Sequence, residues 1–230
     1  MGLALRASSN KNMSRKKNST HKRKQLKPKT ENQGRYIRTM CESDVTICVG
    51  PAGTGKTSVA VGLACEYLLN KKVEKIIITR PVVETGRKGL GFLPGTFDEK
   101  IHPYLVPVLE EMGLYLSQSE INSYRNSKII EACPLEYMRG RNFHNAFIIL
   151  DEAQNTTREQ IKMFITRIGR NSKAVINGDA QQSDLPVELS GALRNCLEKL
   201  DGARGVGIVE LEPCDIIRNS IISEIIERLS

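Results

Sequence analysis

The stretch Val45-Thr46-Ile47-Cys48-Val49-Gly50-Pro51-Ala52-Gly53-Thr54-Gly55-Lys56-Thr57 decides the fold. Its first five residues are apolar or β-branched and read as a buried strand. Gly50 to Thr57 satisfy G-x-x-x-x-G-K-[ST], and from Lys56 an apolar helical pattern runs to Leu69. Strand, glycine-rich turn and helix in that order build a phosphate cradle. Backbone N–H groups and the helix N-terminus surround a β-phosphate, Lys56 adds a cation between β and γ oxygens, and Thr57 offers a hydroxyl to Mg2+. The candidate nucleotide-binding residues are therefore Gly50, Pro51, Ala52, Gly53, Thr54, Gly55, Lys56 and Thr57. The bland alternative is a glycine-rich turn that binds nothing, and it gives no reason for the strand before it and the helix after.

Outward from this unit, short apolar runs alternate with helical patterns and no internal repeat is visible, the rhythm of parallel βαβ units. Strands are expected at Val45 to Val49, Lys75 to Thr79, Lys128 to Ile130, Ala146 to Leu150, Ala174 to Asn177 and Val206 to Leu211. Helices are expected at Lys56 to Leu69, Phe97 to Met112, Thr157 to Ile168, Leu189 to Leu200 and Ile216 to Leu229. Thr157-Arg158-Glu159-Gln160 has capping-box spacing. The strands are apolar rather than alternating, so most should be covered on both faces.

Ala146 to Leu150 delivers Asp151 and Glu152 at its C-terminal end, where open α/β sheets place their ligands. Asp151 suits Mg2+, directly or through water, and Glu152 suits orientation and deprotonation of an attacking water. A strand ending in two acids is weak evidence alone, and the phosphate cradle is what turns it towards hydrolysis. Lys173 to Asn177 leads into Gly178-Asp179-Ala180-Gln181-Gln182, whose Gln182 or Gln181 can sense a γ-phosphate without adding charge; the bland reading is a polar loop.

The chain has 230 residues, 34 Lys plus Arg and 26 Asp plus Glu. Residues 1 to 40 hold 12 of the basic groups and one acid, a net +11, while the remainder carries −3. Residues 1–29 read as a disordered basic tail, a solubilising run, a localisation signal or a nucleic-acid arm, and 30–230 as one domain. No stretch approaches the roughly eighteen apolar residues of a membrane span. The N-terminus lacks a secretory h-region, so a cytoplasmic protein without a membrane partner is expected. The six cysteines are scattered, with neither metal-ligand nor disulfide spacing, and read as reduced.

Four further blocks are more specific than the phosphate loop: Thr79-Arg80-Pro81-Val82-Val83-Glu84-Thr85-Gly86, Leu90-Gly91-Phe92-Leu93-Pro94-Gly95, Tyr137-Met138-Arg139-Gly140-Arg141, and Phe147 to Asn155. Together they resemble the PhoH family of phosphate-starvation-inducible ATPases, from about Thr30 to Leu229. The resemblance implies an α/β, RecA-like P-loop NTPase core, a parallel sheet flanked by helices, related to superfamily 1 helicases. It further implies Mg2+-dependent ATP hydrolysis and a role in RNA metabolism. Carried over by position, Lys56 and Thr57 match the phosphate loop, Asp151 and Glu152 the acid pair, and Gln182 the glutamine of a GDxxQ element. Gln33 sits where related ATPases read adenine; its bland reading is a linker glutamine. Asn177 replaces a usual Thr, and Asn219 replaces a usual His after Arg218.

Transfer of a γ-phosphoryl group needs positive charge, and ring ATPases take an arginine from a neighbouring subunit. Arg218 is the candidate, against the bland reading of ordinary helix charge, while Arg80, Arg87, Arg139 and Arg141 are further charged positions. With one RecA-like half in the sequence, a homo-oligomer is expected, a hexameric ring by analogy with the family. The leading reading is an ATP-driven enzyme on single-stranded nucleic acid, with RNA favoured over DNA. The alternative is a nucleotide-switched binding module with slow hydrolysis and no motor activity.

Overall fold

The computed structural model describes residues 23–81, 106–186, 189–217 and 228. Arg218, Arg87, the segment 82–105 and nearly all of the expected C-terminal helix lie outside the described residues, as do residues 1–22. In chain order the elements are α1 (Glu31–Glu42), β1 (Val45–Val49), α2 (Lys56–Leu69), β2 (Lys75–Arg80), α3 (106–112) and α4 (Gln118–Asn126). Then come β3 (Ile130–Pro134), β4 (Ala146–Leu150), α5 (Arg158–Ile165), β5 (Lys173–Gly178), α6 (Ala192–Leu200) and β6 (Val206–Glu210).

The six strands form one sheet in the order β3-β2-β4-β5-β1-β6, and every pairing is parallel. Period-two alternation splits the apolar residues between two layers. Cys48, Ile76, Ile78, Phe147, Ile149, Val175 and Val209 pack on one face with Tyr36 and Met40 of α1 and with α2. Ile47, Val49, Ile77, Ile148, Leu150 and Ile176 pack on the other with Ile161 and Phe164 of α5 and Leu193 of α6. All five residues of β4 are buried, the mark of a central strand between helical layers. Because every strand runs the same way, the exits of β1, β4 and β5 open on one edge of the sheet.

The expected ranges of β1, β4 and α2 coincide with those observed. The third strand starts at Ile130 rather than Lys128, because Lys128 takes a left-handed turn at φ 57° that closes α4. Two helices, α1 and α4, are additions to the elements expected from the sequence. Residues 23–29, placed in the tail by composition, pack on the domain: the Lys24 N–H donates to Leu114 O (3.0 Å) and the Leu26 N–H to Glu66 Oε1 (3.0 Å). Among the described residues no helix is long and apolar enough to cross a membrane.

Candidate nucleotide site

The turn after β1 needs its glycines for two different reasons. Gly50 adopts φ +152°, and a Cβ there would lie 2.3 Å from Leu211 O at the end of β6. Gly55 adopts φ +87°, and a Cβ there would lie 2.8 Å from Gln33 Nε2. The loop is thus wedged between β6 and α1, in a backbone shape that side chains would prevent. Lys56 Nζ donates to Gly50 O (2.6 Å) and Pro51 O (2.9 Å), folding its ammonium back over the loop. Burial pushes the Lys56 pKa below its usual value, against the opposing pull of nearby acids that include Asp179, Glu152 and Asp151.

Sheet order places β4 two strands from β1, and this distance brings the acid pair to the loop. The Thr57 hydroxyl donates to Asp151 Oδ1 at 2.8 Å. Arg80, at the end of the neighbouring β2, donates to Asp151 Oδ2 through Nε (3.0 Å) and Nη2 (2.6 Å). Only 2% of the Asp151 side chain and 16% of the Arg80 side chain are exposed. Glu152 takes a left-handed conformation (φ 58°, ψ 40°), uncommon for a residue with a side chain and frequent where function requires it. Its carboxylate accepts from Gln154 Nε2 at 2.7 Å.

Gln154 joins two strand exits. Its Oε1 accepts from the Asp179 N–H (3.0 Å), and its carbonyl accepts from the Ser183 hydroxyl (3.0 Å). Asn155 adds two bonds to Asp184, one through each end of its amide, both 2.8 Å. The turn carrying Glu152 is therefore tied to the loop carrying Gln181 and Gln182. A cavity of about 360 Å3 lies between them, lined by Gly53, Gly55, Lys56, Thr57, Asp151, Glu152, Gln154, Asp179 and Gln182.

Gln33 is 3% exposed, and its amide is a strut. Nε2 donates to Thr54 O (2.9 Å) and Oε1 accepts from the Lys29 N–H (2.9 Å), half of what a side-chain amide can donate and accept. Tyr36, one turn further along α1, donates its buried hydroxyl at 2.6 Å to Oδ1 of Asn177, the residue that stands where the family pattern has Thr. Arg141 is engaged by Glu131 and stacks over Phe143 at 4.7 Å, and neither Arg139 nor Arg141 lines the cavity.

Two residues of this arrangement have roles that the sequence does not mark. Gln154 belongs to a recognised block, yet nothing in its spacing marks it as the link between two strand exits. Glu111 lines the cavity and accepts from the Ser58 hydroxyl at 2.7 Å; in the sequence it resembles ordinary surface charge on a helix. The donors around Thr57 and Asp151 are hard oxygens, a set that fits Mg2+. Among the described residues no group of three His, Cys, Asp or Glu could hold a metal ion alone, so Mg2+ bound here would complete its shell with waters and phosphate oxygens.

Sheet, loop and acid pair together define a RecA-like P-loop nucleoside triphosphatase fold. The large terminase of a thermophilic bacteriophage shares it, at TM-score 0.57 and 12% identity over 89% of this chain and 51% of that one. The chain belongs to the PhoH-like protein family, whose profile matches residues 25–230. It is 45% identical over 204 residues to a PhoH-like protein of Mycobacterium tuberculosis, covering 89% of this chain and 58% of the relative. A PhoH-like protein of Bacillus subtilis is 44% identical over 206 residues, covering 90% of this chain and 64% of the relative. The chain thus spans about three fifths of the length of these relatives.

Proposed function

We propose that this protein binds ATP with Mg2+ and hydrolyses it in the service of single-stranded nucleic acid, with RNA the favoured partner. The observation that carries the ATPase reading is the convergence of Lys56, Thr57, Asp151 and Glu152 on one cavity, from strands far apart in sequence. Loop N–H groups and Lys56 bind the β- and γ-phosphate oxygens. Thr57 and Asp151 would hold Mg2+, which would offset charge on the phosphate oxygens. Glu152 accepts the proton of the attacking water as its oxygen bonds to the γ-phosphorus and the bond to the β–γ bridging oxygen breaks. Gln182 orients that water or the γ-phosphate. Gln33 fixes the loop through Thr54 and offers its remaining N–H to adenine.

The nucleic-acid reading is supported by the +11 charge of the first 40 residues and by the family resemblance. A homo-oligomer, a hexameric ring, supplies Arg218 across a head-to-tail interface, because heterologous contacts of this kind close into rings. The test is ATP turnover measured alone and with poly-RNA, single-stranded DNA or duplex. Stimulation by RNA above the others supports the reading. Turnover unaffected by any polymer removes the nucleic-acid half, and no turnover under any condition removes the ATPase half.

A further inference from the structure

Asp151 is the metal-facing carboxylate of the site, and the described contacts take up most of what it can accept. A carboxylate has about four lone-pair positions. Thr57 uses one on Oδ1, and the Arg80 guanidinium uses two on Oδ2. Arginine is a permanent positive charge, here set on one oxygen of the carboxylate whose other oxygen, Oδ1, is left to a hydrated divalent ion. It is also poorly screened, since Asp151 is almost wholly buried and Arg80 mostly so. Arg80 is not among the described residues that line the cavity, and its described contact with the site is with Asp151.

We propose that Arg80 is a positioning residue and resident counter-ion for Asp151, which keeps free divalent metal off the carboxylate and admits the ion only together with a nucleotide. The inference rests on the nucleotide-site reading and adds to it an order of entry. A lone Mg2+ would bring two positive charges against the guanidinium. A nucleotide's phosphates bring compensating negative charge, so the same ion arrives with its repulsion already offset. The single lone pair left on Oδ1, beside Thr57, is enough for one metal-bound water.

The experiment measures Mn2+ binding to the full chain by the electron paramagnetic resonance of free Mn2+, with and without ADP, so that no turnover enters the readout. Wild type should bind Mn2+ weakly alone and much more tightly with ADP. Without ADP, Arg80→Gln should bind Mn2+ at least about tenfold more tightly than wild type, while Arg80→Lys, which keeps the charge, should stay within about threefold of it. The gain should vanish in Arg80→Gln combined with Asp151→Asn, and circular dichroism should show all variants folded. Arg80→Ala serves if the glutamine variant does not fold. Equal or weaker Mn2+ binding by the neutral variants, or a gain that survives Asp151→Asn, overturns the proposal. Absence of any Mn·ADP binding by wild type points instead to failure of the nucleotide-site reading.

Discussion

Lys56 and Glu152 face the same cavity with opposite duties, and substitution should separate them. On the proposed function, Lys56→Ala removes a charge used in both the ground state and the transition state, so ATP binding should weaken and turnover should disappear. Glu152→Gln keeps shape and hydrogen bonding but loses the base; ATP affinity should stay within about threefold while kcat falls by roughly a hundredfold or more. Equilibrium binding of a fluorescent ATP analogue beside steady-state kinetics checks both, and wild-type kcat in Glu152→Gln would remove its assignment as base. Single residues are legible in the sequence wherever a role depends on neighbours in the chain. Gly50 to Thr57 form one contiguous device, and Glu152 follows directly from its strand. Arg80 stands out in the sequence as a charged position, but its partner, like that of Glu111, is opaque, because Asp151 and Ser58 lie 71 and 53 residues away.

Among the elements, α2 and α5 are readable and α1 is not, for reasons visible in their packing. Eight of the 14 residues of α2 are buried, and a run that apolar has no other soluble use. Helix α5 begins with Thr157, whose hydroxyl accepts from the Gln160 N–H while Gln160 Oε1 accepts from the Thr157 N–H (2.8 Å), a signal complete within four residues. Thr157→Ala should therefore cost about 1 kcal/mol in urea unfolding. Phe147→Ala, in β4 and edge-to-face with Tyr67 at 5.5 Å, should cost about 3–5 kcal/mol. A similar loss for both would mean that the cap is more than a helix end. Helix α1 buries only Gln33, Tyr36 and Met40, includes Gly34, and follows a polar basic stretch. Its start is held from outside: Asn32 Nδ2 donates to Asp215 Oδ2 (2.9 Å), and that oxygen also accepts from the Glu212 N–H (2.7 Å). Asp215 is buried; burial alone would push its pKa up, but bonds from Thr30, the Glu212 N–H and Asn32 outweigh this and hold it below its usual value.

For the molecule as a whole, two predictions concern what acts beyond one site. Deleting residues 1–22 removes six Lys and Arg while leaving the contacts of Lys24 and Leu26 on the domain. RNA affinity should fall and the slope of log affinity against log salt should flatten, with ATP turnover in the absence of RNA unchanged. An unaltered slope in fluorescence anisotropy across a salt series would reduce the tail to a solubility role. Arg218→Ala should leave ATP binding intact and cut turnover, and mixing it with Lys56→Ala chains should restore part of the activity, because some interfaces then pair an intact loop with an intact arginine. Full activity in a strictly monomeric species by light scattering would remove the shared site. The phosphate loop, the acid pair, the parallel α/β class and the family can all be read from the unfolded chain, since each is written in a few consecutive residues whose chemistry is local. That β2 and β4 are neighbours, and that β5 lies between β4 and β1, emerges only on folding. This order puts Arg80 and Thr57 on opposite oxygens of Asp151 and lets Gln154 join Glu152 to Asp179. Local patterns specify a strand, and the partly exposed β3 and β6 differ from the wholly buried β4, but the order of the strands is settled by which helices cover them and how the whole core packs.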